Sequence, residues 1–291
     1  MKTYIRLFIF YLIFSIPVPV QAQTKRALVI GIGKQVDSAW NKINGDKDVP
    51  YVLEILNNAN YKQIITCVNE KATKAGIVSA FQVLEQSCQP KDVVYIHFSG
   101  HGQQVKDMNN DETDALDESW IPYDAYMHAC DKDWGEKHLI DDEINLLLTN
   151  IRNKIGDKGK ILVVIDACHS GSATRGSHDP NSVEIARGAI DTFKITKPLL
   201  RTTPKKDIHS NQERWVTLSA CESDQENFEM RNPAAGKLTY AIYSKVRNRE
   251  FGSNDVFFRR LKIFININSS RSQTPTMTGE TTKYNITDLL R

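Results

Sequence analysis

Cysteine is scarce here, and the spacings that would give it a structural task are missing. The sequence has Cys67, Cys88, Cys130, Cys168 and Cys221, with no C-x-x-C pair. That argues against a structural zinc site, and the number and spacing are too sparse for a disulfide scaffold. Cys67, Cys88, Cys130 and Cys221 leave up to two disulfides open, with three full pairings to choose from. The odd count leaves at least one thiol of an exported chain to be explained another way. Charge of one sign is also missing. Taking Lys2 and Arg6 from the 37 basic residues leaves 35, which equals the 35 acidic ones. Such a balance gives no reason to expect a polybasic membrane patch or nucleic acid as a partner. "GIGK" (31–34) lacks both the full P-loop and the full G-x-G-x-x-G, which removes the common nucleotide-binding fingerprints. No repeat or low-complexity tract is present.

Long apolar runs are absent except at the start. Lys2 and Arg6 precede a mostly apolar stretch, Leu7 to Val20, which ends in the small-residue pattern Val20-Gln21-Ala22. This is the layout of a signal peptide over residues 1–22. The run contains two prolines and is shorter than the ~20 residues a spanning helix needs, so cleavage after Ala22 is expected rather than an anchor. The mature chain would then be exported, periplasmic or secreted, with no stable membrane anchor.

From residue 23 onward, strand and helix patterns alternate regularly. "RALVIGIG" (26–33), "QIITCV" (63–68), "DVVYIHF" (92–98), "KILVVID" (160–166) and "WVTLSAC" (215–221) are apolar throughout and predict buried strands. Between them lie helical periods. Val49, Val52, Leu53 and Leu56 follow acidic residues and Pro50, which mark a helix start. Ile77, Ala80, Phe81 and Leu84 follow a capping Thr73. Ile144, Leu147, Leu148 and Ile151 follow Asp141 and Asp142 as caps. Further helices are expected around Leu238–Val246 and around Phe257, Leu261 and Phe264. Residues 103–138 and 172–214 break the rhythm. The fold class is α/β, a mainly parallel sheet sandwiched between helices.

In open parallel sheets, ligands sit beyond the carboxyl ends of the strands. "HFSGHG" (97–102) puts His101 just past one strand, and "DACHSG" (166–171) puts Cys168 just past another. A thiol and an imidazole on the same sheet edge form a nucleophile and its general base and acid. The backbone N–H groups of Gly102 and Cys168 can face a developing oxyanion. His169, adjacent to the nucleophile, points elsewhere in a tight turn and is left structural or pocket-lining.

Together, in this order, the two blocks resemble the signature blocks of the metacaspase and bacterial caspase-like branch of the caspase-like cysteine peptidases. The resemblance runs from Arg26 to about Tyr243, with "WVTLSACESDQ" and "GKLTYAIY" similar to the small-subunit strand and helix. It implies a caspase-like (caspase-hemoglobinase) fold: residues 23–171 as a large-subunit-like part, 172–214 as a basic linker and 215–291 as a small-subunit-like part. It also implies a cysteine endopeptidase with Cys168 as nucleophile and His101 as general base and acid.

The family's preference for Arg or Lys before the scissile bond requires a carboxylate in the specificity pocket, because a buried cation needs an opposite charge. Asp166 and Asp48 are the candidates, with Ser99 a neutral neighbour and Asp46 an alternative to Asp48. The partners expected are peptides or proteins with Arg or Lys at that position. No cofactor is required, but the resemblance suggests calcium held by Asp124, Asp141 and Asp142. Arg175 stands where a fourth ligand would be expected, and Asp141 and Asp142 serve equally as helix caps. "DMNNDETDALDE" (107–118) imitates a calcium loop, but it carries Glu112 where the turn needs Gly, and it reads better as an acidic surface hairpin. The linker carries Arg175, Arg187, Lys194, Lys197, Arg201, Lys205, Lys206 and Arg214. An enzyme that cuts after basic residues could cut itself there, making the chain a zymogen. Two alternatives stay open: a thiol peptidase similar to clostripain or gingipain, and a non-catalytic caspase-like binding module.

Overall fold

The computed structural model describes residues 23–107, 115–168, 185–189, 191–195, 213–223 and 225–291. The leader over residues 1–22 and most of the basic linker therefore lie outside the described residues.

Five parallel strands and one antiparallel edge strand form the central sheet. In chain order they are β1 (Lys25–Gly31), β2 (Gln63–Val68), β3 (Val93–Ser99), β7 (Lys160–Asp166), β8 (Val216–Ser219) and β11 (Thr276–Gly279). Their spatial order is β11-β8-β7-β3-β1-β2, with β11 antiparallel to β8. The five apolar runs of the sequence are the five parallel strands. The antiparallel edge, from a less apolar stretch, carried no such signal.

Period-2 alternation sorts the strand side chains into two cores. Ala27, Val29, Val93, Tyr95, Leu162, Val164, Val216 and Leu218 face one layer of helices. That layer is α1 (Gly45–Asn58), α4 (Lys237–Arg247) and α5 (Asn254–Ile267), packed through Val52, Leu56, Leu238, Phe257 and Leu261. Leu28, Ile30, Val94, Ile96, Phe98, Ile161 and Val163 face α2 (Lys74–Ser87) and α3 (Asp141–Ile155) through Ile77, Phe81, Leu84, Leu148 and Ile151. Every residue of β3 is buried, as a strand covered on both faces must be.

Two helix starts differ from expectation. Pro50 lies inside α1, which begins five residues earlier at Gly45. Asp141 and Asp142 stand in the first turn of α3 rather than at its cap, where their charges complement the positive end of the helix dipole. Thr73 caps α2 as expected, its hydroxyl accepting from the Gly76 N–H at 3.0 Å.

The stretch 103–138, without helical period, supplies most of a small antiparallel sheet of β4 (Gly102–Lys106) and β5 (Leu116–Trp120), completed just beyond it by β6 (Leu139–Ile140). Lys106 pairs with Leu116, so the acidic segment is a hairpin, whose tip lies outside the described residues. A two-stranded ribbon, β9 (Glu229–Met230) and β10 (Ala235–Gly236), leads into α4. In register, Gly31 pairs with Ser99 and Ser99 with Asp166, so the ends of β1, β3 and β7 lie side by side.

Candidate active site

Those strand ends and the start of α1 build a pocket with an arginine inside it. Arg187, from the basic linker, is 0% exposed. Its Nη2 lies 2.8 Å from an Asp48 carboxylate oxygen, and its Nη1 donates to Ser99 Oγ at 2.6 Å and to the Asp166 carbonyl at 3.1 Å. The Asp166 carboxylate stands 3.5 Å from Nη1. Glu229, on β9, takes Nε and Nη2 at 3.2 and 3.0 Å. Three carboxylates surround one guanidinium, with every donor face of the fork occupied.

The carboxylates are themselves held in place. Asp48 accepts from the Gly236 N–H at 2.9 Å and from Ser99 Oγ. Asp166 accepts from the Thr239 N–H and hydroxyl at 2.8 and 2.7 Å and from Asn227 at 2.8 Å. Asn44 secures Glu229. Burial pushes Asp48 up to about 6, against the lowering influence of Arg187. Burial also raises Glu229. At Asp166 burial opposes ionisation, but Arg187, Thr239 and Asn227 outweigh it and hold the carboxyl below its ordinary value. One cation does not neutralise three carboxylates, so the pocket is strongly cation-seeking.

The backbone of the same linker segment continues into the chemistry. The Arg187 carbonyl oxygen accepts from the N–H groups of both Gly102 (3.2 Å) and Cys168 (3.0 Å). These are the two donors expected to hold an oxyanion, and they converge on one peptide carbonyl. The next residue, Gly188, lies against Cys168: a Cβ built there would fall 2.8 Å from Cys168 Cβ. The Cys168 thiol lies 3.3 Å from the Gln225 carbonyl oxygen, as does that of Cys221.

His101 has its tautomer set by the backbone. Nε2 lies 2.8 Å from the Asn41 carbonyl, which only accepts, so Nε2 carries the proton and Nδ1 keeps its lone pair. Nδ1 is buried without a hydrogen-bond partner among the described residues. Burial lowers the imidazole to about 4, partly opposed by the bond to Asn41, so the ring is a neutral base near pH 7. The Trp40 ring packs on it at 4.9 Å between centroids.

Residues 185–189 and 191–195 lie against the cleft, joined to it by isolated bridges. Ile185–Arg187 run along β9, with Glu229 N–H donating to Ile185 (3.0 Å) and Arg187 N–H to Asn227 (2.8 Å). Beyond the Arg187 carbonyl the chain runs along β4, with Ala189 N–H donating to Gly102 (3.1 Å) and Phe193 N–H to Gln104 (2.7 Å). Backbone bridges of this kind hold an extended peptide largely without regard to its side chains.

The other expected residues fall elsewhere. Asp46 bonds Asn69 and is not in the pocket, which leaves Asp48 of the two alternatives. Asp124 accepts from the Lys74 N–H at 2.9 Å, at the start of α2. Among the described residues, no group of three or more His, Cys, Asp or Glu that could hold a metal ion is found. Asp141 and Asp142 lie in the first turn of α3. Of the linker's basic residues, Lys194 is exposed and Arg214 pairs with Asp157 at the surface. His169, Arg175, Lys197, Arg201, Lys205 and Lys206 lie outside the described residues. None of the five cysteines is in a disulfide. Trp40, Asn41, Glu229 and Asn227 escaped the sequence reading. Asn41 acts through its backbone, which carries no residue-type signal, and Glu229 sits in a segment with no motif.

Comparison with known proteins agrees with this geometry. Curated relatives include Metacaspase-1 of Eremothecium gossypii, 37% identical over 101 residues, covering 35% of this chain and 20% of that protein. Metacaspase-2 of Arabidopsis thaliana is 32% identical over 164 residues, covering 54% of this chain and 36% of that protein. The chain thus spans about a fifth to a third of the curated relatives it matches. Among solved structures, a protein of Geobacter sulfurreducens superposes with a TM-score of 0.63 at 21% identity, covering 92% of this chain and 97% of its own. Caspase-1 of Spodoptera frugiperda superposes with a TM-score of 0.54 at 10% identity, covering 88% and 86%. These two show a caspase-like fold. The family model for the metacaspase, peptidase C14 domain matches residues 25–175, just over half of the sequence, and the chain belongs to that family.

Proposed function

We propose that this protein is an exported cysteine endopeptidase that cleaves after Arg or Lys, made as a zymogen that cuts its own Arg187–Gly188 bond. The observation that carries the reading is Arg187. Its guanidinium fills an acidic pocket of Asp48, Asp166 and Glu229, while its carbonyl rests on two N–H groups beside Cys168. Of the linker's basic residues, Arg187 is thus presented as a substrate would be. The apolar leader with Lys2 and Arg6 supports export.

The chemistry rests on this placement. His101 Nδ1 takes the thiol proton, and the Cys168 sulfur attacks the carbonyl carbon of the residue in the pocket. The oxyanion that forms is held by the Gly102 and Cys168 N–H groups, a contribution on the order of 10²–10³-fold per donor in comparable sites. His101 then returns the proton to the departing amide nitrogen, that of Gly188 in the self-cleavage, leaving a thioester. Water, deprotonated by His101, attacks the thioester, releases the carboxylate product and restores the thiol. Thiol and imidazole suffice for each step, and calcium enters as a variable to be tested.

The test compares wild type with Cys168→Ala on a denaturing gel, and assays fluorogenic peptides ending in Arg, Lys or Asp with and without calcium. Wild type should yield a fragment whose N-terminus is Gly188, while the variant stays one chain. Fragmentation of the variant like wild type would refute self-cleavage. Preference for Asp peptides would refute the acidic pocket's role, and loss of all thiol-dependent cleavage would favour a binding module.

A further inference from the structure

The segment that presents Arg187 does not end at the scissile bond. Past Gly188 it runs beside β4, with bridges Gly102 to Gly188 and Val105 to Phe193, both parallel. Gln103 Nε2 donates to the Asp191 carbonyl at 2.8 Å, two residues before the second bridge. At its end Phe193 is 1% exposed, buried with Val105 and Ile140 in a small apolar cluster separate from the two main cores. The His138 ring lies 4.3 Å from the Phe193 ring between centroids. His138 is fixed in turn by a 3.0 Å bond between its Nε2 and Gln103 Oε1.

Phe193 is the only Phe, Tyr or Trp between Ser172 and Arg214. A polar linker thus inserts its single large aromatic into a pocket provided by the insertion sheet, at the sixth position beyond the bond. Removing the linker segment would leave an apolar hole beside β4, three residues along that strand from the Gly102 N–H that holds the Arg187 carbonyl.

We propose that the enzyme reads its substrates on the far side of the scissile bond: β4 holds the departing half through backbone bridges at Gly102 and Val105, and the pocket of Val105, Ile140 and His138 takes an aromatic side chain at the sixth position after the cut. This rests on cleavage after Arg at Cys168, and Phe193 is the internal copy of the element a substrate would supply. Pairing along β4 is indifferent to side chains, so selectivity comes from the pocket. Burial of a Phe side chain translates to on the order of tenfold or more in binding.

The test uses quenched fluorogenic peptides carrying IARGAIDTX, the sequence of residues 185–193 with X as Phe, Leu or Ala, then a Gly-Gly spacer. Cleavage at the Arg–Gly bond is monitored with the self-processed full chain and with Phe193→Ala, whose pocket cannot be filled by its own linker. A short Arg peptide ending at the scissile position is the reference. The Phe peptide should exceed the Ala peptide by about tenfold in kcat/KM, mostly through KM, with Leu between. The advantage should be at least as large in Phe193→Ala. Equal kcat/KM for Phe and Ala peptides in both enzymes, with the short Arg peptide still cut, overturns this inference alone. Failure to cut any Arg peptide overturns the peptidase reading beneath it.

Discussion

At Asp48, burial and charge pull in opposite directions. Burial favours the neutral acid and Arg187 favours the carboxylate, and the group settles near 6. Above that value it is ionised and attracts a guanidinium; below it the attraction fades. If the linker leaves the pocket, the lowering influence of Arg187 is lost while entering water relieves the burial that raises the group, so the two changes oppose each other. We therefore expect kcat/KM for Arg peptides to fall with decreasing pH through an acid limb near 6. His101, held near 4 by burial, would still be neutral there. Asp48→Asn should abolish that limb and reduce kcat/KM by on the order of 10–100-fold at pH 7.5, the loss of one charge-assisted contact. A pH–rate profile of both enzymes measures this, and an unchanged limb in the variant would assign it to another group.

At the scale of elements, α1 is the part that sets the pocket's depth. Its first residue, Gly45, sits so close to the strand ends that a Cβ would fall 2.4 Å from the Ile32 carbonyl oxygen and 2.5 Å from that of Ser99. Backbone atoms cannot yield as a flexible side chain can. Gly45→Ala should therefore push α1 outward, cost about 1–3 kcal/mol of stability as overpacking does, and carry Asp48 away from Asp166. Urea unfolding with kcat/KM measured alongside would show both effects. The helix periods of α1 to α5 were legible because each buries one face. The small strands β4, β9 and β10 were not, because strands this short carry no reliable alternation, and their partners decide them.

Over the whole molecule, cleavage after Arg187 would separate the chain without dividing the core. Strands β7 and β8 are adjacent in one sheet, and the larger core joins Val52 and Ile55 of the first part to Leu238, Ile242 and Phe257 of the second. Separation would expose that apolar surface to water, and burial is the dominant stabilising contribution in folding. The two fragments of the self-cleaved protein should co-elute in size-exclusion chromatography and come apart only in denaturant. Elution of two separate species in native buffer would show that the linker, rather than the core, holds the parts together.

The sequence by itself determined the strand–helix alternation and the two loops that carry His101 and Cys168. Apolar run length, helical period and Gly-flanked strand ends are local properties of the chain. It also named Asp48, Asp166, Ser99 and, among eight basic candidates, Arg187. Only the tertiary structure decided between Asp46 and Asp48, because both precede the apolar face of the same helix and differ solely in the direction the helix turns them. It alone brought in Glu229, the Asn41 carbonyl and the aromatic pocket around Phe193. Those contacts join positions far apart in the chain, and what makes them matter is burial beside an opposite charge or against apolar side chains, which no residue's own neighbours encode.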